Sequence, residues 1–173
     1  MYIITGGPGS GKSTLIDALE NNGYSRSIEA GRAIIQSQLQ IGGLSLPWID
    51  PASFAEWMLC WEINSYVNAL RSEGPVIFDR GIPDIISYLR FMNLPVPEYM
   101  ERAVDLYRYN RKVFIAPPWE SIFIQDNERK QTFGEARILF DILFKTYSAF
   151  GYDLIILPME TVEVRLQFFK SQI

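Results

Sequence analysis

The residues with the clearest chemical purpose stand near the start, where Gly6-Gly-Pro-Gly-Ser-Gly-Lys12-Ser13 fits the pattern G-x-x-x-x-G-K-[ST]. Gly6, Gly7, Gly9 and Gly11 carry no Cβ, so the backbone there can take positive φ and turn successive N–H groups toward one anion. Lys12 supplies a cation for β- and γ-phosphates and Ser13 a hydroxyl for Mg²⁺, while the dipole and free N–H groups of a following helix favour the same charge. The alternative is a plain Gly-rich turn, and the setting decides against it. Met1-Tyr-Ile-Ile-Thr5 reads as a buried strand before the loop, and Leu15, Ile16, Ala18 and Leu19 make a helix face after it. Phosphate binding is therefore expected from Gly6, Gly7, Gly9, Ser10, Gly11, Lys12, Ser13 and Thr14.

A second set of residues could act on whatever lies beside that phosphate. Asp79 follows three apolar residues, so its carboxylate should emerge at a sheet edge as a Mg²⁺-water ligand or a base for a substrate hydroxyl. The other reading of Asp79 is the N-cap of the next helix. Arg80 can clamp a phosphate, orient a substrate or form a structural ion pair. Glu29 ends a second strand, where it would take a proton from an attacking hydroxyl or simply start a solvated helix. Arg32 and Asp84 lie close by in sequence and are candidates for substrate contact. Trp48 and Trp119 fall in loops on the ligand side, where an aromatic plane either stacks on a base or packs into the core. The charged run Asp126, Glu128, Arg129, Lys130 follows the fourth strand, where a closing segment could carry a cation to the γ-phosphate.

The elements that must position these groups alternate along the chain. A second, weaker strand is expected near 24–28, and short strands, apolar rather than alternating, near 76–79, 113–115 and 153–157 besides the first. Between them run helices to about Ile41, from Asp50-Pro51 to about Glu73, from Pro83, from Glu98 to about Tyr109, from Thr132 to Phe150, and from Val162. Strand and helix in repeated alternation make an α/β fold, a parallel sheet covered on both faces, with ligands beyond the carboxyl ends of the strands. No repeat, low-complexity tract or linker divides residues 1–173, which read as one domain, and the stretch of about 119–131 reads as a mobile cover over the site.

Composition narrows the function. Sixteen basic against twenty acidic residues give a net charge of −4, no footprint for a nucleic-acid backbone. Histidine is absent, so carboxylates, Lys and Arg must carry any acid-base chemistry. No run of 18 apolar residues suggests a membrane span, and a chain that begins as strand shows no signal peptide, so a cytoplasmic setting is expected. Cys60, in an apolar helical stretch, reads as a small, reduced core residue. There is no Asn-Lys-x-Asp guanine signature and no second Gly-rich dinucleotide fingerprint, which disfavours a GTPase switch and redox chemistry.

Taken with Glu29-Ala-Gly-Arg32, Leu46-Pro-Trp-Ile-Asp50, Phe78-Asp-Arg-Gly-Ile-Pro-Asp84, Val113-Phe-Ile-Ala-Pro-Pro-Trp119, Asp126-Asn-Glu-Arg-Lys130 and Phe150-Gly-Tyr-Asp153, the loop resembles that of small bacterial P-loop proteins described as AAA-domain ATPases or kinases. These are similar to the kinase half of the ribosylnicotinamide kinase regulators of NAD synthesis and, more distantly, to nucleoside and nucleotide kinases. The resemblance covers nearly the whole chain. It implies a three-layer P-loop NTPase fold with a five-stranded sheet in the order 2-3-1-4-5, and a lid after the fourth strand. By the same match Asp79 and Arg80 take the catalytic Asp-Arg position, Glu29 the base or substrate position, and Arg129 the lid position. This chain offers only Arg129 and Lys130 where many kinase lids carry several arginines, and it lacks the extra domain of hexameric AAA motors.

The expectation is an enzyme that uses ATP and Mg²⁺ to transfer a phosphoryl group to a small hydroxylated or phosphorylated, nucleoside-like metabolite, with no nucleic acid or membrane as partner. Its catalytic residues would be Lys12, Asp79, Arg80, Glu29 and Arg129, its metal ligands Ser13 and Asp79, and its substrate contacts Glu29, Arg32, Trp48, Arg80 and Asp84. The rival is a nucleotide-binding regulator or slow ATPase that acts as a binding module.

Overall fold

The computed structural model describes residues 1–123 and 132–173. Five strands, β1 (Tyr2–Gly6), β2 (Ser25–Arg26), β3 (Val76–Asp79), β4 (Lys112–Ala116) and β5 (Asp153–Ile156), form one sheet in the order β2-β3-β1-β4-β5. Every pairing is parallel. Register sets the site: Ile4 stands opposite Asp79 and Gly6 opposite Ala116, so the ends of β3, β1 and β4 open on one edge.

Because successive strand residues point to opposite faces, the apolar runs feed two cores. Ile3, Val76, Phe78, Val113 and Ile115 face one. There they meet α2 (Ala30–Ile41), α3 (Pro51–Ala69), α4 (Ile82–Phe91), α5 (Glu98–Leu106) and α6 (Phe133–Ala149). Ile4, Ile77, Phe114 and Ala116 face the other, against α1 (Lys12–Glu20) and α7 (Val162–Gln172). The result is the expected three-layer sandwich.

Several boundaries differ from the sequence expectation. β2 holds two residues, both exposed, because it is an edge strand with one neighbour and no apolar pattern to extend it. α3 stops at Ala69 and α5 at Leu106, each a few residues early, and Val67 and Leu70 stand exposed. Cys60 is exposed rather than core: α3 buries Phe54, Ala55, Met58, Leu59 and Glu62, and residue 60 lies off that face. Among the described residues no helix is long and apolar enough to cross a membrane.

Candidate active site

β1 runs directly into the glycine loop. Gly6 sits at φ 140°, and a Cβ on it would lie 2.5 Å from the Ala116 carbonyl, so only glycine lets the loop leave the sheet this close to β4. Gly11, at φ 74°, is the N-cap of α1. Lys12 arches back over the loop, its Nζ donating to the Gly7 carbonyl at 2.8 Å and to Ser10 Oγ at 3.5 Å, while Ser10 Oγ donates to the same carbonyl. Ser13 and Thr14, at the start of α1, are exposed.

The end of β3 carries the second half of the site. The Asp79 N–H donates to Ser27 Oγ at 3.2 Å, and the Arg80 N–H donates to the Ile4 carbonyl. Arg80 takes φ 76°, a left-handed conformation that costs a non-glycine residue energy unless its surroundings hold it. They do so through three partners. Its Nε donates to Glu29 Oε1 at 3.1 Å, and its Nη1 to the Gly6 carbonyl at 3.0 Å and Asp84 Oδ1 at 3.4 Å. Burial alone would pull the guanidinium down, but Glu29, Asp84 and Asp79 together hold it well above its ordinary value. Glu29 is the N-cap residue of α2, so the ion pair ties the entrance of that helix to the P-loop.

Asp84, expected at the substrate, has its carboxylate engaged within the fold. Oδ1 accepts from Thr5 Oγ1 and Arg80, and Oδ2 accepts from the Gly81 N–H at 2.9 Å and the Tyr147 hydroxyl. Four donors fill the lone-pair positions of a carboxylate. Its side chain therefore fixes β1, α4 and α6 around Arg80, and Asp84, not Asp79, provides the side-chain cap at the start of α4.

Two cavities flank the loop. The larger, about 480 Å³, is bounded by Gly9 to Thr14 on one side and by Trp119, Ile122, Thr161 and Arg165 on the other. The second, about 170 Å³, is mainly apolar, with Phe54, Met58, Tyr88 and Leu143 on its walls and Glu29, Arg32, Arg80 and Asp84 as its polar groups. Pro8 lines this second cavity and Gly9 the first, so the phosphate loop is the partition between them. Trp48 is 58% exposed, and Pro47 takes the place on the cavity wall. Trp119, by contrast, faces the larger cavity. Arg129, with the rest of 124–131, lies outside the described residues, and of the expected cover residues 119–123 are described, with a short helical turn at Glu120–Ile122.

Two buried charges were not found from the sequence. Arg165 on α7 is 3% exposed and donates to the carbonyls of Ser10 and Gly11. Glu62 on α3 is 2% exposed, and its Oε2 has no hydrogen-bond partner among the described residues. Each signal was legible: Arg165 shares a face with Val162 and Phe169, and Glu62 with Met58 and Leu59, so each is a charge placed on an apolar stripe.

Ser13 and Asp79 offer one hydroxyl and one carboxylate, hard oxygen donors that suit Mg²⁺ completed by phosphate and water. Among the described residues no cluster of three or more acidic or Cys groups forms a protein-only metal cage.

A family model for an AAA domain matches residues 1–165. The chain belongs to that AAA-domain family. Three solved structures share the fold of this family member along almost its whole length. Thymidylate kinase from Ehrlichia chaffeensis gives a TM-score of 0.65 at 20% identity, covering 99% of this chain and 97% of that chain. Deoxyadenosine kinase from M. mycoides, with products dCMP and dCDP bound, gives 0.64 at 16% identity, with 99% and 98% covered. Its dATP complex gives 0.59 at 14% identity over 99% and 97%. At such identities the likeness is one of fold, a P-loop kinase fold. No curated protein matches significantly in sequence.

Proposed function

We propose that the protein transfers the γ-phosphoryl group of ATP to a hydroxyl of a small nucleoside-like acceptor. The observation that carries this reading is the partition: the phosphate loop separates a nucleotide-sized cavity from a second, mainly apolar cavity that has the Glu29–Arg80 ion pair on its lining. A slow ATPase or regulator needs only the first. The neighbouring folds belong to kinases of a nucleoside and of a nucleotide, which supports an acceptor of that chemistry.

In this reading Lys12 and the loop N–H groups bind the β- and γ-phosphates. Glu29 lines the acceptor cavity and takes the hydroxyl proton, and Arg80 orients Glu29 and faces the charge that builds during transfer. Asp79 lines neither cavity's described wall and belongs on the cation side, with Ser13. Mg²⁺ would supply charge neutralisation at the phosphates. Phe54, Met58 and Tyr88 give the acceptor an apolar seat that excludes water.

The test is ADP release from Mg-ATP against a panel of nucleosides, nucleotides, cofactor precursors and sugars, with the product identified by mass. One acceptor should raise ADP release well above the acceptor-free rate and gain one phosphoryl group. Equal ADP release with every compound, and no phosphorylated product, would leave the slow ATPase in its place.

A further inference from the structure

The guanidinium of Arg165 presents a charge that the site described so far does not use. It reaches from α7 to the phosphate loop and lines the larger cavity, and its Nη1 donates at 3.2 Å to both the Ser10 and Gly11 carbonyls. No carboxylate pairs with it among the described residues, and its Nε is buried without a partner there. A buried cation with no counter-ion is costly unless an anion arrives. Lys12 and the positive end of the α1 dipole occupy the same loop, and the acidic residue on this cavity's lining, Glu160, is exposed and forms no ion pair with Arg165 among the described residues.

The two carbonyls it holds are the informative ones. In a trans peptide the C=O of one residue and the N–H of the next point in opposite directions. Fixing the Ser10 and Gly11 carbonyls toward α7 therefore aims the N–H groups of Gly11 and Lys12 away from α7. These two groups lie at the start of α1, where backbone donors have no intrahelical acceptor. Gly11 also makes room for the contact, because a Cβ there would stand 2.6 Å from Nη1.

We propose that Arg165 is a positioning residue for the polyphosphate of ATP: it orients the Gly11 and Lys12 amides from the α7 side of the loop and adds one positive charge to the phosphate site. This rests on the reading that the loop binds ATP. Its reach across the molecule makes the closing helix α7 part of the phosphate site, although every residue of the sequence motif lies within the first fourteen.

Calorimetry with three probes tests it: Mg-ATP, inorganic tripolyphosphate and adenosine, each on wild type and on Arg165→Met. The variant should bind Mg-ATP and tripolyphosphate about tenfold or more weakly, by a common factor, and adenosine as wild type does. Arg165→Lys, which keeps the charge, should recover part of the loss. If Arg165→Met does not fold, as judged by circular dichroism and melting, Arg165→Gln is held to the same criteria. Unchanged tripolyphosphate affinity in a folded variant overturns the proposal, as does a loss confined to adenosine, which would put Arg165 at the base. Wild type that binds neither ATP nor tripolyphosphate would overturn the nucleotide reading itself.

Discussion

Arg80 Nε lies 3.1 Å from Glu29 Oε1, joining the residue that follows β3 to the residue that opens α2. Neither is close to the other in sequence, and both line the same cavity. Arg80 is at once the partner of the proposed base and the side chain that reaches the Gly6 carbonyl at the root of the phosphate loop. Proton acceptance and phosphate geometry are thus held by one guanidinium. Glu29→Gln keeps the shape and a hydrogen-bond acceptor but loses the base, so kcat should fall by about 10²- to 10⁴-fold with ATP affinity close to wild type. Steady-state kinetics on the acceptor found by the panel decides this, and normal turnover in the variant would remove Glu29 from the role.

Lys12 is the motif's one full positive charge, and its Nζ rests on the Gly7 carbonyl and Ser10 Oγ within its own loop. Lys12→Ala should weaken Mg-ATP binding by roughly 10- to 100-fold, the factor for losing a hydrogen bond to a charged group worth about 1.5–3 kcal/mol. Titration calorimetry checks it. Equal affinity and equal turnover would place the nucleotide elsewhere.

Asp79 and Asp84 sit five residues apart and should respond in opposite ways. Asp79 does not cap α4, whose N-cap is Gly81, so Asp79→Asn should lower turnover by about 10²-fold or more while melting stays near wild type. Asp84→Asn strips charge from a carboxylate with four donors around it, and should destabilise the fold by about 3–5 kcal/mol. Urea unfolding and kinetics on both variants separate the roles. A stable Asp84→Asn protein with lost acceptor binding would return Asp84 to the substrate.

The sequence made the fold legible where hydrophobic runs are bounded by turn residues. β1, β3, β4 and β5 each coincide with such a run, and the helices bear apolar stripes that match the faces they bury. The edge strand β2 was overestimated because pairing with β3 alone, not burial, defines it. In the site, the phosphate loop was readable because its chemistry is local. The Arg80 to Glu29 pair was readable only as two separate strand ends, since pattern does not reveal which loops meet. Arg165 and Glu62 were less legible for a simpler reason: each charge is embedded in an apolar stripe at helical spacing, a pattern that signals packing and does not reveal the partners of a charge within it.

Glu62 provides a prediction in pH. Its carboxyl is held well above the ordinary glutamate value of 4.5, first by burial, then by the negative charges of Asp84 and Asp79, with Glu29 adding a little and Arg80 opposing. Tyr109, also buried, feels Glu62 in turn. The folded protein therefore keeps a proton on Glu62 at pH values where the unfolded chain has released it. With more protons on the folded state, unfolding free energy must fall as pH rises. The stabilising contribution is fully present below about pH 4.5 and is lost progressively as pH rises through the folded value. Glutamine mimics the neutral acid at every pH, so Glu62→Gln should match wild type near pH 4.5 and become the more stable of the two toward neutrality. The gap should widen by at most about 1.4 kcal/mol per pH unit. Urea unfolding of both proteins from pH 5 to 8 measures it. Two stability curves that run parallel across that range would mean that Glu62 is ionised in the folded state, with a counter-charge holding its carboxylate.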